Sequence, residues 1–402
     1  MQMPLQTPPL DRFPPELLAQ PAEARLAYFA ARVVAHPRLT QAHQALLDAL
    51  LGSTEASLIL VYGPTGVGKT TLRRRIEQQL LAAALPDLEQ DPGRMPVVAL
   101  EAAAPESGQF SWKDYYTRAL LTLDKRLVGY GHEVGTRGVR RDATVHLRMA
   151  HTAPAPELRR ALEQSLRQRR VAAVIVDEAQ HLRRLASGRR LLDQMDTLKS
   201  MAALTGAVHV LVGTYELLGL ADLSAQLSRR SVEIHFGRYR PELAEDRRAF
   251  KSVLLTFQRH LPLAREPDLV GRWEELYERS VGCVGVLKGW LVRALAAALE
   301  AGESSLTRRR LERHAEPPRK LLSLAREIAE GEAVLAVTDR GQGELRRLLG
   351  LATVATTTPA ASGSATAPTA RRPSDRPGQR RPTRDPVGAQ EPVGAGRDEH
   401  GR

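Results

Sequence analysis

Gly63-Pro64-Thr65-Gly66-Val67-Gly68-Lys69-Thr70 follows the apolar run 57–62 and opens a helical pattern over residues 71–85. Strand, glycine loop and helix are the context that a phosphate-binding P-loop requires. The glycines let backbone N–H groups turn inward around phosphate oxygens, where side chains would block them. The following helix points its positive end at the same anion. Lys69 can then reach the β- and γ-phosphates, and the Thr70 hydroxyl can sit on Mg2+. Gly63, Pro64, Thr65, Gly66, Val67, Gly68, Lys69, Thr70 and Thr71 are therefore the expected nucleotide-binding residues. A glycine-rich turn that binds nothing would need four fixed positions and both flanks to coincide.

The 402 residues are 43% hydrophobic, enough for two packed units. No run of about 18 apolar residues suggests a membrane span. The first residues, Met1-Gln-Met-Pro-Leu, lack the basic-then-apolar profile of a secretory signal. A single cysteine, Cys283, excludes an internal disulfide, and no HExxH or paired-histidine spacing suggests zinc. A cytoplasmic location is expected. The net charge of +12 and the pI near 10.2 favour a polyanionic partner.

Residues 1–20 are proline-rich and read as an extended arm. Two helices follow within 21–51, interrupted at Pro37. Five β-branched runs, 58–62, 97–101, 171–176, 208–213 and 232–236, alternate with helical stretches such as 112–127 and 156–169. That alternation predicts an α/β fold, a parallel sheet with helices on both faces. An arginine-rich connector, 129–149, stands between the second and third runs. Beyond Arg240-Pro241 the strands cease. Helices are expected over 242–260, 267–281 and 285–302, and again over 306–330 with a break at Pro317-Pro318. The domains expected are an arm (1–20), an α/β domain (21–240), a helical unit (241–350) and a basic tail (351–402). The tail has eight arginines, five acids and almost no large apolar residue, so it cannot bury a core.

The third apolar run ends in Asp177-Glu178-Ala179-Gln180-His181. A strand delivering two adjacent carboxylates is a Walker B pattern. Asp177 would hold Mg2+ through its water shell. Glu178 would act as general base on the attacking water. Thr214, at the end of the fourth run, could orient that water near the γ-phosphate, or simply cap the next helix. Arg229 and Arg230 stand without an adjacent acid, and either suits a finger reaching a neighbouring subunit's phosphates. Lys288, near the start of a helix, is a candidate contact from the lid side.

These residues together resemble the AAA+ ATPases. The resemblance implies a five-stranded parallel sheet in the order 5-1-4-3-2, a C-terminal helical lid, and ATP with Mg2+ between lid and sheet. It casts Thr214 as sensor 1, Arg229 and Arg230 as the arginine-finger region, and Lys288 as a stand-in for the usual sensor 2 arginine. Within the class, the P-loop plus Asp177-Glu178-Ala179-Gln180-His181-Leu182 is similar to the TniB/TnsC group of transposition regulators, with MuB more distant. That resemblance implies ATP-dependent rings or filaments on duplex DNA that direct a transposase, with a target-selection adaptor, to its target.

DNA contacts are then expected from Lys113, Arg137, Arg140, Arg141 and Arg148 around the connector. A second group is Arg183, Arg184, Arg189, Arg190 and Lys199. Such contacts to phosphate position the protein without reading sequence. Three activities remain open on the residues alone. They are a regulator on duplex DNA (or an origin-recognition or loader-type relative), an ATPase acting on protein in secretion or remodelling, and a scaffold that holds ATP without turnover.

Overall fold

The computed structural model describes residues 12–52, 56–104, 110–128, 139–141, 147–149, 153–183, 189–221, 231–340 and 346–351. The chain divides into two compact units, 1–342 and 343–402. Of the second, residues 346–351 are described, a short turn closed by Leu351 N–H donating to the Arg346 carbonyl. The expected tail from 352 and the first eleven residues of the arm lie outside the described residues.

The strands among the described residues are β1 (Leu58–Tyr62), β2 (Val97–Glu101), β3 (Val139–Arg141), β4 (Leu147–Met149), β5 (Ala173–Asp177), β6 (Val208–Gly213) and β7 (Ser231–His235). Five of them form one parallel sheet in the order β2-β5-β6-β1-β7. Numbered among themselves and taken from the other edge, these strands run 5-1-4-3-2, the order expected. β3 and β4 form a separate antiparallel ribbon inside the arginine-rich connector, which the sequence did not foretell.

The helices among the described residues are α1 (Ala22–Ala31), α2 (Pro37–Leu51), α3 (Lys69–Ala83), α4 (Leu85–Gln90), α5 (Trp112–Val128), α6 (Ala155–Gln168) and α7 (Arg189–Thr205). They continue as α8 (Leu218–Ala221), α9 (Ala244–His260), α10 (Trp273–Ser280), α11 (Val284–Glu300), α12 (Arg308–His314) and α13 (Pro318–Arg340). Successive residues of β1 serve opposite cores because side chains of a strand alternate between faces. Leu58, Leu60 and Tyr62 pack with α5, α6 and α7, while Ile59 and Val61 pack with α2 and α3. Both faces are therefore covered, which explains why β1 and β5 are buried at every position.

A third core is all-helical. Phe250, Val253, Leu254 and Phe257 share one face of α9 and meet Leu287, Trp290, Leu291 and Leu295 of α11. Phe29 of α1 is buried in this helical core and not against the sheet. No single helix among the described residues is long and apolar enough to cross a membrane.

The helix breaks expected at Pro37 and at Pro317-Pro318 are present, and in each a proline opens the helix that follows. Pro37 is the first residue of α2 and Pro318 the first of α13, where a missing N–H costs nothing and φ is already helical. α13 runs on to Arg340, past the expected end at residue 330. His36 caps α2: its Nδ1 accepts from Leu39 N–H at 3.3 Å and meets the Tyr239 hydroxyl at 3.0 Å. Burial, and secondarily Arg75, lowers the His36 pKa to about 4. Burial likewise lowers His209, in the middle of the sheet, to about 4.

Both rings are thus neutral in the fold, whereas in the unfolded chain they take up protons near the ordinary histidine pKa of about 6.5. Stability is full above that value and falls as pH drops from about 6.5 towards 4. A fall on the order of 3 kcal/mol per ring is expected across the whole window. Thermal melts against pH should show it, and His36→Asn, which keeps an acceptor for Leu39 N–H, should flatten the curve.

Candidate nucleotide site

The P-loop lies between β1 and α3, at the carboxyl edge of the sheet. Gly63 N–H donates to the Gly213 carbonyl at 3.3 Å, and a Cβ on Gly63 would fall 2.0 Å from the Phe236 carbonyl oxygen. The loop thus starts in a slot between the ends of β6 and β7 that only glycine fits. Gly66 and Gly68 have φ of +78° and +119°, which L side chains resist. Lys69 opens α3 and is buried. Its Nζ donates to the Gly63 and Pro64 carbonyls, both at 2.9 Å. Burial pushes its pKa down, and the Glu178 and Glu327 carboxylates oppose that push. An ammonium held by two neutral carbonyls can exchange them for phosphate oxygens, which bind it more strongly. Thr70, next on α3, is exposed.

β5 delivers Asp177, 5% exposed, and Glu178 follows in a left-handed conformation, φ 53° and ψ 34°. A non-glycine residue there is strained by about 1–3 kcal/mol, and such strain persists where surrounding contacts over-determine it. Those contacts are visible. Glu178 N–H donates to Asp177 Oδ1 at 3.0 Å, and Gln180 Nε2 donates to Glu178 Oε2 at 2.5 Å. Thr214 sits at the end of β6, whose register sets Gly213 beside Tyr62 and Leu211 beside Val176. The P-loop, Thr214 and the Asp177-Glu178 pair therefore share one sheet edge. The Thr214 hydroxyl accepts from Glu216 N–H at 3.4 Å, so in this state it caps the 3-10 turn Tyr215–Leu217.

Arg73 was not singled out by motif. One helical turn beyond Lys69, its Nε donates to Asp177 Oδ2 at 3.2 Å and its Nη1 to Glu77 at 3.1 Å. The i,i+4 relation to Lys69 was the available signal, since it sets both on one face of α3. Asp177 thus already faces a cationic partner, the Arg73 guanidinium. Mg2+ asks for only one or two protein oxygens, because phosphate and water complete its octahedron. The exposed Thr70 hydroxyl and Asp177 fit that demand.

Lys288 turns elsewhere. Its Nζ donates to the Phe29 and Arg32 carbonyls at the end of α1 and lies 3.8 Å from the Phe29 ring centroid. Burial, then Arg32, lowers its pKa to about 8. Helix geometry is the reason. Val286 N–H donates to the Gly66 carbonyl at 3.2 Å, and position 288 is about 200° further around α11. Gly289 and Arg293 share the Val286 side instead and line a cleft of about 330 Å³ with Thr65, Gly285 and Glu327. A larger cleft, about 730 Å³, lies among α10, α12 and α13 and touches none of the P-loop residues.

α13 is the other element that sequence reasoning did not bring here. Thr65 Oγ1 donates to Glu327 at 3.4 Å, Glu332 forks onto Arg238 at 3.1 Å twice, and a Cβ on Gly331 would meet the Tyr215 ring at 2.2 Å. The helix lies along the carboxyl edge of the sheet beside Thr214.

Arg229, Arg230, Arg137 and Arg184 lie outside the described residues. Arg140, Arg141 and Arg148 are on the β3–β4 ribbon, with Arg140 opposite Arg148. Lys113 is in the first turn of α5, Arg189 and Arg190 begin α7, and Lys199, further along it, is 3.7 Å from Asp196. Arg183 donates to the Glu216 carbonyl at 3.0 Å, a link between the turns that follow β5 and β6.

The profile of the AAA domain family matches residues 53–220. That segment is an AAA domain. It spans β1 to α8 and holds every P-loop and Walker B residue described above, and its fold is that of the P-loop NTPases. Among solved structures, the chain is similar to the ADP form of the ORC2 protein of Aeropyrum pernix, at 17% identity and a TM-score of 0.45. That match covers 69% of this chain and 66% of the other. A Walker-type ATPase of Pyrococcus abyssi matches at 18% identity over 77% and 75% of the two chains, TM-score 0.44. Drosophila ORC bound to DNA matches at 15% identity over 78% and 68%, TM-score 0.44. A search of curated proteins found no match.

Proposed function

We propose that the protein is an ATP-dependent, DNA-binding AAA+ regulator of DNA transposition. It would work in the cytoplasm and assemble as a ring or filament on duplex DNA, with ATP at subunit interfaces. The observation that carries the ATPase part is the gathering of Lys69, Asp177, Glu178 and Thr214 at one sheet edge, from three separate stretches of sequence. The transposition part rests on the resemblance of the P-loop and the 177–182 stretch to TniB/TnsC proteins.

In this reading Lys69 leaves the loop carbonyls for the β- and γ-phosphate oxygens, joined by the loop N–H groups. Thr70 and Asp177 would hold Mg2+, which would supply positive charge against the developing negative charge; Arg73 shares Asp177. Glu178 accepts a proton from water as the water oxygen bonds to the γ-phosphorus, and the bond from phosphorus to the β–γ bridging oxygen breaks. ADP departs with that oxygen. Thr214 orients the water, and Arg229 or Arg230 of a neighbouring copy stabilises the transferring group.

Each γ-phosphate thus favours assembly, and hydrolysis loosens it. Arg140, Arg141 and Arg148 with Arg137, Lys113 and Lys199 contact DNA phosphates. Arg140 and Arg148 stand at paired register positions of the β3–β4 ribbon. The basic tail recruits a transposase or adaptor.

Negative-stain microscopy with duplex DNA tests this. Rings or filaments are expected with ATP and absent with ADP or no nucleotide, and DNA affinity should fall steeply with salt. A monomer in all three conditions, binding DNA equally well with and without ATP, would overturn it. Turnover stimulated by protein and indifferent to DNA would favour the protein-acting alternative.

A further inference from the structure

Gln180 belongs to no catalytic role assigned above, yet it is 6% exposed and joins two of the proposed catalytic positions. Its Oε1 accepts from the backbone N–H of Thr214 at 3.3 Å, and its Nε2 donates to Glu178 Oε2 at 2.5 Å. The orientation of the amide is not arbitrary. A backbone N–H can only donate, so the oxygen must face Thr214 and the nitrogen must face Glu178. The amide is also seated with no slack. A Cβ on Gly213 would stand 2.5 Å from Gln180 Oε1, so only a glycine before Thr214 leaves room for it. The Thr214 N–H, the Gln180 amide and the Glu178 carboxylate form one directed chain from the end of β6 to the end of β5.

We propose that Gln180 is a positioning residue for Glu178. It holds the general base turned towards the end of β6, and makes that orientation depend on where the Thr214 backbone stands. Shifting the end of β6 moves the amide oxygen, and the amide then moves or releases Glu178. This rests on the hydrolytic reading of Glu178 and Thr214 given above. The left-handed backbone of Glu178 fits the same role, since a strained residue is held in place by contacts and moves when one is withdrawn.

The test is steady-state nucleotide hydrolysis by the full chain against pH, with affinity for a fluorescent ATP analogue measured in parallel. Gln180→Leu should lower kcat by about 10- to 100-fold with KM and analogue affinity within about twofold of wild type. Gln180→Glu sets a second carboxylate against Glu178, and two such groups share a proton. The acid limb of its pH–rate profile should therefore move at least one unit towards alkaline pH, a displacement that loss of packing alone does not cause. Should the Gln180 variants fail to fold, Gly213→Ala pushes the same amide from the other side and should lower kcat in the same way.

Wild-type kcat and an unmoved acid limb in folded Gln180→Leu and Gln180→Glu proteins would overturn the proposal and leave the hydrolytic reading intact. Wild-type kcat in Gly213→Ala would do the same. A wild type that binds the analogue but turns over no nucleoside triphosphate would overturn both.

Discussion

Lys69→Ala is expected to bind nucleotide some 30- to several-thousand-fold more weakly than wild type while melting at nearly the same temperature without ligand. Lys69 is buried, and its only described hydrogen-bond acceptors are two neutral carbonyls of its own loop. Burial already works against its charge, so the empty protein loses little when the ammonium goes. The triphosphate loses much more. Removing one partner from a desolvated, charge-assisted contact costs about 2–5 kcal/mol, and each 1.4 kcal/mol is tenfold in affinity. The check is a pair of melts with and without ATP and Mg2+. Wild type should rise with ligand by mass action, and the variant should not move. Lys69→Arg should not restore binding, because a planar fork cannot enter a cradle built around a point charge. A variant that keeps wild-type affinity would show that the loop does not hold phosphate.

Glu178→Gln is expected to separate binding from turnover. The substitution keeps shape and leaves an amide oxygen to accept from Gln180 Nε2, so the chain from Thr214 survives. What disappears is the acceptor for the proton of attacking water. Loss of a general base typically costs about 10²- to 10⁴-fold in rate. Single-turnover hydrolysis should fall by that range with nucleotide affinity unchanged. If ATP governs assembly on DNA, this variant should form longer-lived assemblies than wild type. Equal, slow turnover in both proteins would instead support the scaffold that holds ATP without using it.

The chemistry of the site was legible because its residues are contiguous. Gly63 to Thr70 and Asp177 to Gln180 each lie in one loop after one strand, and a loop after a parallel strand has a single destination, the carboxyl edge. The sheet was legible for a related reason. Strands covered on both faces are written as unbroken apolar runs, and four of the five have both limits within one residue of those expected, the third beginning two residues later. Pro37 marked the break between α1 and α2 correctly. The structure adds that it is itself the first residue of α2, since a proline excluded from a helix interior is accepted at the first position. Lys288 misled because a position near a helix start does not say which way it points. The contact of Val286 with Gly66 sets the rotation of α11, and that contact joins residues more than two hundred positions apart.

By itself, then, the sequence determined a parallel sheet with helices on both faces, a loop shaped for phosphate and a carboxylate pair beside it. All of these depend on patterns a few residues long, in which neighbours in the chain are neighbours in space. Only the tertiary structure decided that α1 packs into the helical core, that Arg73 rests on Asp177, that Lys288 faces α1, and that α13 brings Glu327 to the loop. Each of those pairings joins segments far apart in the chain. Which charge meets which is then settled by how rigid elements pack, a property of the whole fold that no local pattern records.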